Sequence, residues 1–197
     1  MDDVKDAATV LLIRKDGLKR SLLIGRRNSK AAFMPRKFVF PGGAWDPTDI
    51  EIRPSQPLSN RQIRLLALEA DTAISSSLGI TAIRELWEET GLRLSTKCFP
   101  SKHPKSWNGF FMEDQGPNLS TLHFFFRAVT PPGRLRRFDA RFFFCEASYI
   151  YDDLDNFSNA SGELTELQWV DINYVHTFEM PKITKIVVEY LKELILT

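Results

Sequence analysis

Nine consecutive residues, Arg84-Glu85-Leu86-Trp87-Glu88-Glu89-Thr90-Gly91-Leu92, carry three carboxylates beside an arginine and close on a glycine. At about 100° per residue, Glu85, Glu88 and Glu89 share roughly one third of a helix circumference. Ile83, Leu86, Trp87 and Thr90 fall on the opposite side. One face is suited to packing, and the other concentrates negative charge. Like charges three and four residues apart destabilise a helix, so a cation should compensate them. A hard divalent metal is the natural candidate for all-oxygen donors. The alternative is a solvated acidic face on which Arg84 pairs with Glu88 four residues on.

The elements around this stretch follow from pattern. Gly91 is expected to end the helix, about Ile80 to Thr90, as a left-handed cap. Ile63, Leu66, Ala70, Ala73 and Ile74 recur at helical spacing, which predicts another helix over about 61–75, broken by Ser75-Ser76-Ser77. Thr9–Ile13 and Ser21–Ile24 flank the turn signal Asp16-Gly17 and read as a hairpin. Phe38-Val39-Phe40 enters the turn Pro41-Gly42-Gly43 as a short strand. Further strands are expected at Leu122–Val129, Arg141–Glu146 and Leu167–Val170. Residues 50–60 have loop composition, and so does the polar stretch Asp152–Ser161. Ile183, Ile186, Val187, Tyr190, Leu191 and Leu194 form an amphipathic C-terminal helix explained by core packing. Interleaved strands and helices predict an α/β sandwich with a mixed sheet.

Composition bounds the function. A chain of 197 residues with 15 Phe is enough for one well-filled domain, 1–197. A net charge of +1 argues against a protein that wraps long nucleic acid, but leaves room for a local patch that binds a small anion. No apolar run approaches the roughly 20 residues of a membrane span. The acidic start Met1-Asp2-Asp3 lacks a signal-peptide core. Cys98 and Cys145 suggest neither a disulfide framework nor a zinc site. Cys145, in an aromatic run, reads as core. The expectation is a soluble, cytoplasmic protein that uses no membrane.

The nine residues resemble the second half of the Nudix hydrolase signature at every fixed position. The first half is recognisable in Pro41-Gly42-Gly43, with Asp49 where the family usually has Glu. Between Asp49 and Arg84 lie 34 residues where the family has seven, so about 27 are inserted, over about 50–77. The resemblance implies a Nudix-type α/β/α sandwich with a mixed β-sheet and an inserted helical segment. It also implies hydrolysis of a diphosphate linkage with Mg2+ or Mn2+ as cofactor. Carried onto this sequence, Glu88 and Glu89 are the principal metal ligands. Glu85 is a further ligand or the general base, and the Gly43 carbonyl an additional ligand. Arg84 orients a glutamate by a charge-assisted hydrogen bond, or forms a simple surface pair. Asp49 takes the place of an acid that is mainly structural in the family. Many relatives add a carboxylate from a later loop. Among Glu146, Asp152, Asp153, Asp155, Glu163 and Glu166, the placement of Glu163 six residues before Trp169 resembles that acid best, a solvated glutamate being the alternative. His103, His123 and His176 are scattered and are assigned no metal role.

The signature does not choose a substrate. Leu22–Arg27 with Phe40–Gly43 loosely resembles the region before the signature in coenzyme A-directed members, although Ala32 and Arg36 stand where that pattern has Arg and Gly. Pro131–Phe143 resembles a branch with an interrupted signature whose members cleave coenzyme A and acyl-coenzyme A. A ligand with a 3′-phosphate and a diphosphate would suit Arg26, Arg27, Arg137 and Arg141. The alternative is that some of these arginines solvate strand ends. The expected partner is a small nucleotide-derived molecule, with coenzyme A or its thioesters first. ADP-ribose, NADH-type dinucleotides, damaged nucleoside triphosphates and RNA caps follow. A non-catalytic Nudix-fold binding module is the reading from another class, disfavoured because such modules typically lose a helix glutamate. Many relatives form homodimers, and the residues leave the oligomeric state open.

Overall fold

The computed structural model describes residues 4–30, 34–69, 74–98 and 103–196. The start Met1–Asp3 and Ala32 lie outside them. In chain order the strands and helices are β1 (Val4–Asp16), β2 (Lys19–Arg27), β3 (Phe38–Val39), β4 (Gly42–Ala44), α1 (Asn60–Ala67), α2 (Ser75–Thr90), β5 (Ser95–Lys97), β6 (Gln115–Pro117), β7 (His123–Val129), β8 (Arg137–Glu146), β9 (Leu164–Asp171) and α3 (Lys182–Leu196).

β1 organises the molecule. It pairs antiparallel with β2 at one end and with β4 at residues 7–9, and parallel with β8 along residues 4–13. The main sheet runs β3-β2-β1-β8-β7, with β4 on β1 and β9 on β2. Successive side chains of a strand point to opposite faces. Val10 and Leu12 therefore join Leu23, Phe143 and Cys145 in a core under Ile83 and Leu86 of α2. Leu11 and Ile13 join Leu22, Ile24 and Phe142 in a second core with Val187, Val188 and Leu191 of α3. Burial of both faces explains why Val10–Ile13 of β1 reads as an unbroken apolar run.

The inserted segment is sewn into the first core. Ile52, Leu58 and Leu66 pack there with α2. Ser55 Oγ donates within reach of the Gly116 and Pro117 carbonyls, at 2.9 Å each. Gln62 Oε1 accepts the Phe124 N–H of edge strand β7 at 2.9 Å. The short sheet of β5 and β6 has no apolar alternation and was not expected from the sequence.

Two expectations change. The helix expected over 61–75 ends at Ala67, and its residues 70–73 lie outside the described residues. The serines expected to break it instead begin α2, where Ser77 Oγ accepts the Trp45 indole N–H at 2.8 Å. Serine is suited to a first helical turn, where backbone groups lack intrahelical partners. In α3, core packing accounts for only part of the stripe. Ile186, Tyr190 and Leu194 are about half exposed, with Tyr190 resting edge-on against Phe126. Gly91 caps α2 at φ 75°, as expected, and donates to the Trp87 carbonyl at 2.7 Å.

Candidate active site

The acidic face of α2 lies against the Gly42–Gly43 turn because β4 pairs with β1 directly beside the helix. A side chain at Gly43 would overlap the Glu85 carboxylate, and one at Gly42 would overlap Thr9 and the Ala8 backbone. Glycine is required there by close approach, not by turn angle. Glu89 is buried, and its Oε2 accepts the Gly42 N–H at 2.9 Å. Glu88 is more open.

Arg84 ties the site together. Its Nη1 donates to Glu85 at 2.7 Å and to Glu88 at 3.3 Å. Its Nη2 donates to the Ala44 carbonyl at 2.9 Å. Its Nε and Nη2 hold the two oxygens of Asp49 at 2.9 and 3.2 Å. Asp49 has no exposed surface, and it also accepts Thr81 Oγ1 at 2.8 Å and the Asp46 N–H at 3.2 Å. The shorter acid therefore reaches the arginine despite the insertion. A short 3-10 turn, Pro47–Glu51, carries it inward, with Asp46 capping the turn. The Gly42 N–H, the Ala44 carbonyl and Thr81 were not singled out from the sequence. Thr81, one turn before Arg84, was the available signal.

The electrostatics match a site built for a cation. Burial pushes Glu85 up to about 7, against the pull of Arg84. Burial also raises Glu88, and raises Glu89 well above its ordinary value. Glu163 adds repulsion at all three. Burial works against the charge on Arg84, but Asp49 and Glu85 more than offset it, so the guanidinium stays protonated. Among the described residues, no three His, Cys, Asp or Glu side chains already form a metal cage. Arg84 Nη1 instead bridges Glu85 and Glu88. The donor chemistry, carboxylate oxygens beside a backbone turn, is that of a hard divalent cation.

The other expected site residues do not all converge on the glutamates. Glu163 pairs with Arg27 at 3.2 Å, and Arg27 is close enough to lower the proton affinity of Glu89. Arg26 pairs with Glu166 at 2.8 Å and donates to the Arg36 carbonyl at 3.2 Å. Arg137 begins β8, and its Nε donates to the Thr130 carbonyl at 3.1 Å. Arg141, expected as a contact for substrate, is engaged within the fold. Its side chain is only 3% exposed, and its donors are taken by Asp6, the Asp139 carboxylate and the Glu69 carbonyl. It clamps the residues after α1 to the sheet. The three histidines do not converge, and Cys145 is fully buried.

A helix of three glutamates is thus braced on a Gly-Gly turn, with helices on both faces of a mixed sheet. No family model matches the sequence. The chain is 24% identical over 190 residues to "Putative nudix hydrolase 7" of Caenorhabditis elegans, covering 85% of this chain and 51% of that protein. It thus spans about half the length of this curated relative. The structure is similar to that of a NUDIX hydrolase from Alicyclobacillus acidocaldarius, with a TM-score of 0.68, 25% identity, and 96% and 91% of the two chains covered. It also shares its fold with the NUDIX domain of Shewanella oneidensis NrtR, solved with ADP ribose, at a TM-score of 0.55 and 12% identity over 100% and 91% of the chains. The first two similarities are to proteins named as Nudix hydrolases, and the third is a likeness of fold.

Proposed function

We propose that the chain hydrolyses the diphosphate linkage of a nucleoside-diphosphate-linked compound with the help of Mg2+ or Mn2+. The observation that carries this reading is the set of three carboxylates on one helix face, two of them packed against Gly42 and Gly43 and two bonded to Arg84. Glu88 and Glu89 would hold the cation, with Glu85, Glu163 and the Gly43 carbonyl as further donors. Such a cation, when bound, neutralises the diphosphate oxygens and lowers the pKa of bound water. Arg84 orients Glu85 and Glu88 from behind. Glu85 serves either as that further donor or as the general base that takes a proton from water.

Coenzyme A or an acyl-coenzyme A is the first substrate to test, on the resemblance of Leu22–Gly43 and Pro131–Phe143. The expected products are 3′,5′-ADP and a phosphopantetheine derivative. Arg26 and Arg27 are the arginines best supported as phosphate contacts, Arg27 through its influence on Glu89. ADP-ribose belongs in the same panel, because the NrtR NUDIX domain was solved with it. The test is a hydrolysis panel with Mg2+ or Mn2+, products identified by mass spectrometry, with labelled water reporting the phosphorus attacked. Glu88→Gln should lose roughly a hundredfold or more of kcat, equivalent to several kcal/mol of charge stabilisation. Absence of hydrolysis across the panel by the unmodified protein would instead favour a Nudix-fold binding module.

A further inference from the structure

We infer that Arg93 and Asp152 are positioning residues that fasten the loop bearing Glu163 to the end of the glutamate helix. This rests on the function proposed above, since it gives Glu163 a cation to serve. Arg93 lies two residues past the Gly91 cap and is buried. Its backbone N–H donates to Asp152 Oδ2 at 2.7 Å, and its Nε and Nη2 donate to Oδ1 at 3.0 and 2.6 Å. The Tyr151 N–H returns a bond to the Arg93 carbonyl at 2.9 Å. The guanidinium also reaches Glu113 at 3.1 Å, lies 4.9 Å from the Tyr151 ring centroid, and lies 5.9 Å from that of Trp87 on α2.

From Asp152 the chain returns along α2. Phe157 packs on its core, Asn159 lies against Gly91, and the Ser161 N–H donates to the Glu88 carbonyl at 2.8 Å. Two residues later comes Glu163, whose charge is felt at Glu85, Glu88 and Glu89. The loop has two other ion pairs, Arg14 with Asp155 and Arg27 with Glu163, and in each the acid is more than half exposed. Exposed pairs contribute about 0–1 kcal/mol. The Arg93–Asp152 pair, at 10% and 17%, is multiply bonded and shielded by rings, so it anchors the start of the loop, while the Asn28 N–H holds the Glu163 carbonyl at 3.1 Å at the other end. Neither residue touches reacting atoms.

The test measures Mn2+ binding by electron paramagnetic resonance, with amide hydrogen exchange alongside. Arg93→Gln should raise the Mn2+ Kd by about tenfold, as loss of an outer-shell partner does. In a Glu163→Gln background the same change should have less than about a twofold effect, because coupled residues are non-additive. Exchange at residues 158–163 should rise while α2 stays protected. Asp152→Asn, a milder change, should repeat the pattern if Arg93→Gln folds poorly. Arg127→Gln on edge strand β7, which breaks ion pairs to Glu69 and to Asp139 of β8, serves as the stability control and should leave the Kd unchanged. An equal effect of Arg93→Gln in both backgrounds, or unchanged exchange at 158–163, overturns the inference while leaving the proposed function intact. Failure of the unmodified protein to bind millimolar Mn2+ overturns the proposed function itself, and the inference with it.

Discussion

Asp49 shows how one side chain holds a charged site in shape. A fully buried aspartate faces a nearly buried arginine, and both of its oxygens are bonded. Removing one member of such a pair leaves an uncompensated buried charge. Asp49→Ala should therefore cost about 3–5 kcal/mol in urea denaturation. Asp49→Glu restores the residue usual at this position in the resembled signature, yet should also destabilise, by about 1–3 kcal/mol, because the extra methylene has no room. Wild-type stability in Asp49→Glu would show that the pocket is not closed around the shorter acid. Glu85 makes the pH argument. With divalent cations chelated, its folded value of about 7 stands above its ordinary value of 4.5. The folded state then binds a proton that the unfolded chain releases first. That contribution is complete below about 4.5 and is lost as pH rises through about 7. Glu88 and Glu89 shift in the same direction. The Tm should fall between pH 5 and 8, and Glu85→Gln should flatten the profile. A Tm that climbs through this window would contradict the assignment.

At the scale of elements, Arg141 separates clamp from ligand. It bonds the Glu69 carbonyl just past α1, together with Asp6 on β1 and Asp139 on its own strand. Arg141→Met should cost about 3 kcal/mol or more in stability, with KM for the hydrolysed substrate unchanged. A large rise in KM with normal stability would return Arg141 to the phosphate contacts. The difference between expectation and structure here has a physical origin. The glutamate helix was legible because its periodicity, its cap and its charge pattern agree within ten residues. The central strands were legible because burial on one or both faces leaves a clear pattern, as in β1 and β2. An arginine reads the same whether it meets a ligand or a helix-end carbonyl, since that choice depends on residues 72 positions away. The Arg93–Asp152 tether spans 59 positions and was hidden for the same reason. The exposed half of the α3 stripe carries the same spacing as the buried half, and only the position of the sheet tells them apart.

For the whole molecule, the carboxylate cluster and the cation it invites form a linked equilibrium. Mn2+ at a hundred times its Kd should stabilise the fold by about 2.7 kcal/mol, read as a rise in urea midpoint that Glu88→Gln abolishes. No helix among the described residues is long and apolar enough to cross a membrane. The insertion also has an entropic meaning. Lengthening the connection between Asp49 and Arg84 from seven residues to 34 raises the cost of closing that loop by only about 1.4 kcal/mol, because closure entropy grows with the logarithm of length. Burying one large aliphatic side chain contributes about as much, and the inserted segment buries Ile52, Leu58 and Leu66. The larger cost is ordering the inserted residues themselves, and they meet it with their own contacts to α2, β6 and β7. The two halves of the site thus depend on one another through the Arg84–Asp49 bond and the β1–β4 pairing, and chain length between them is nearly free to vary.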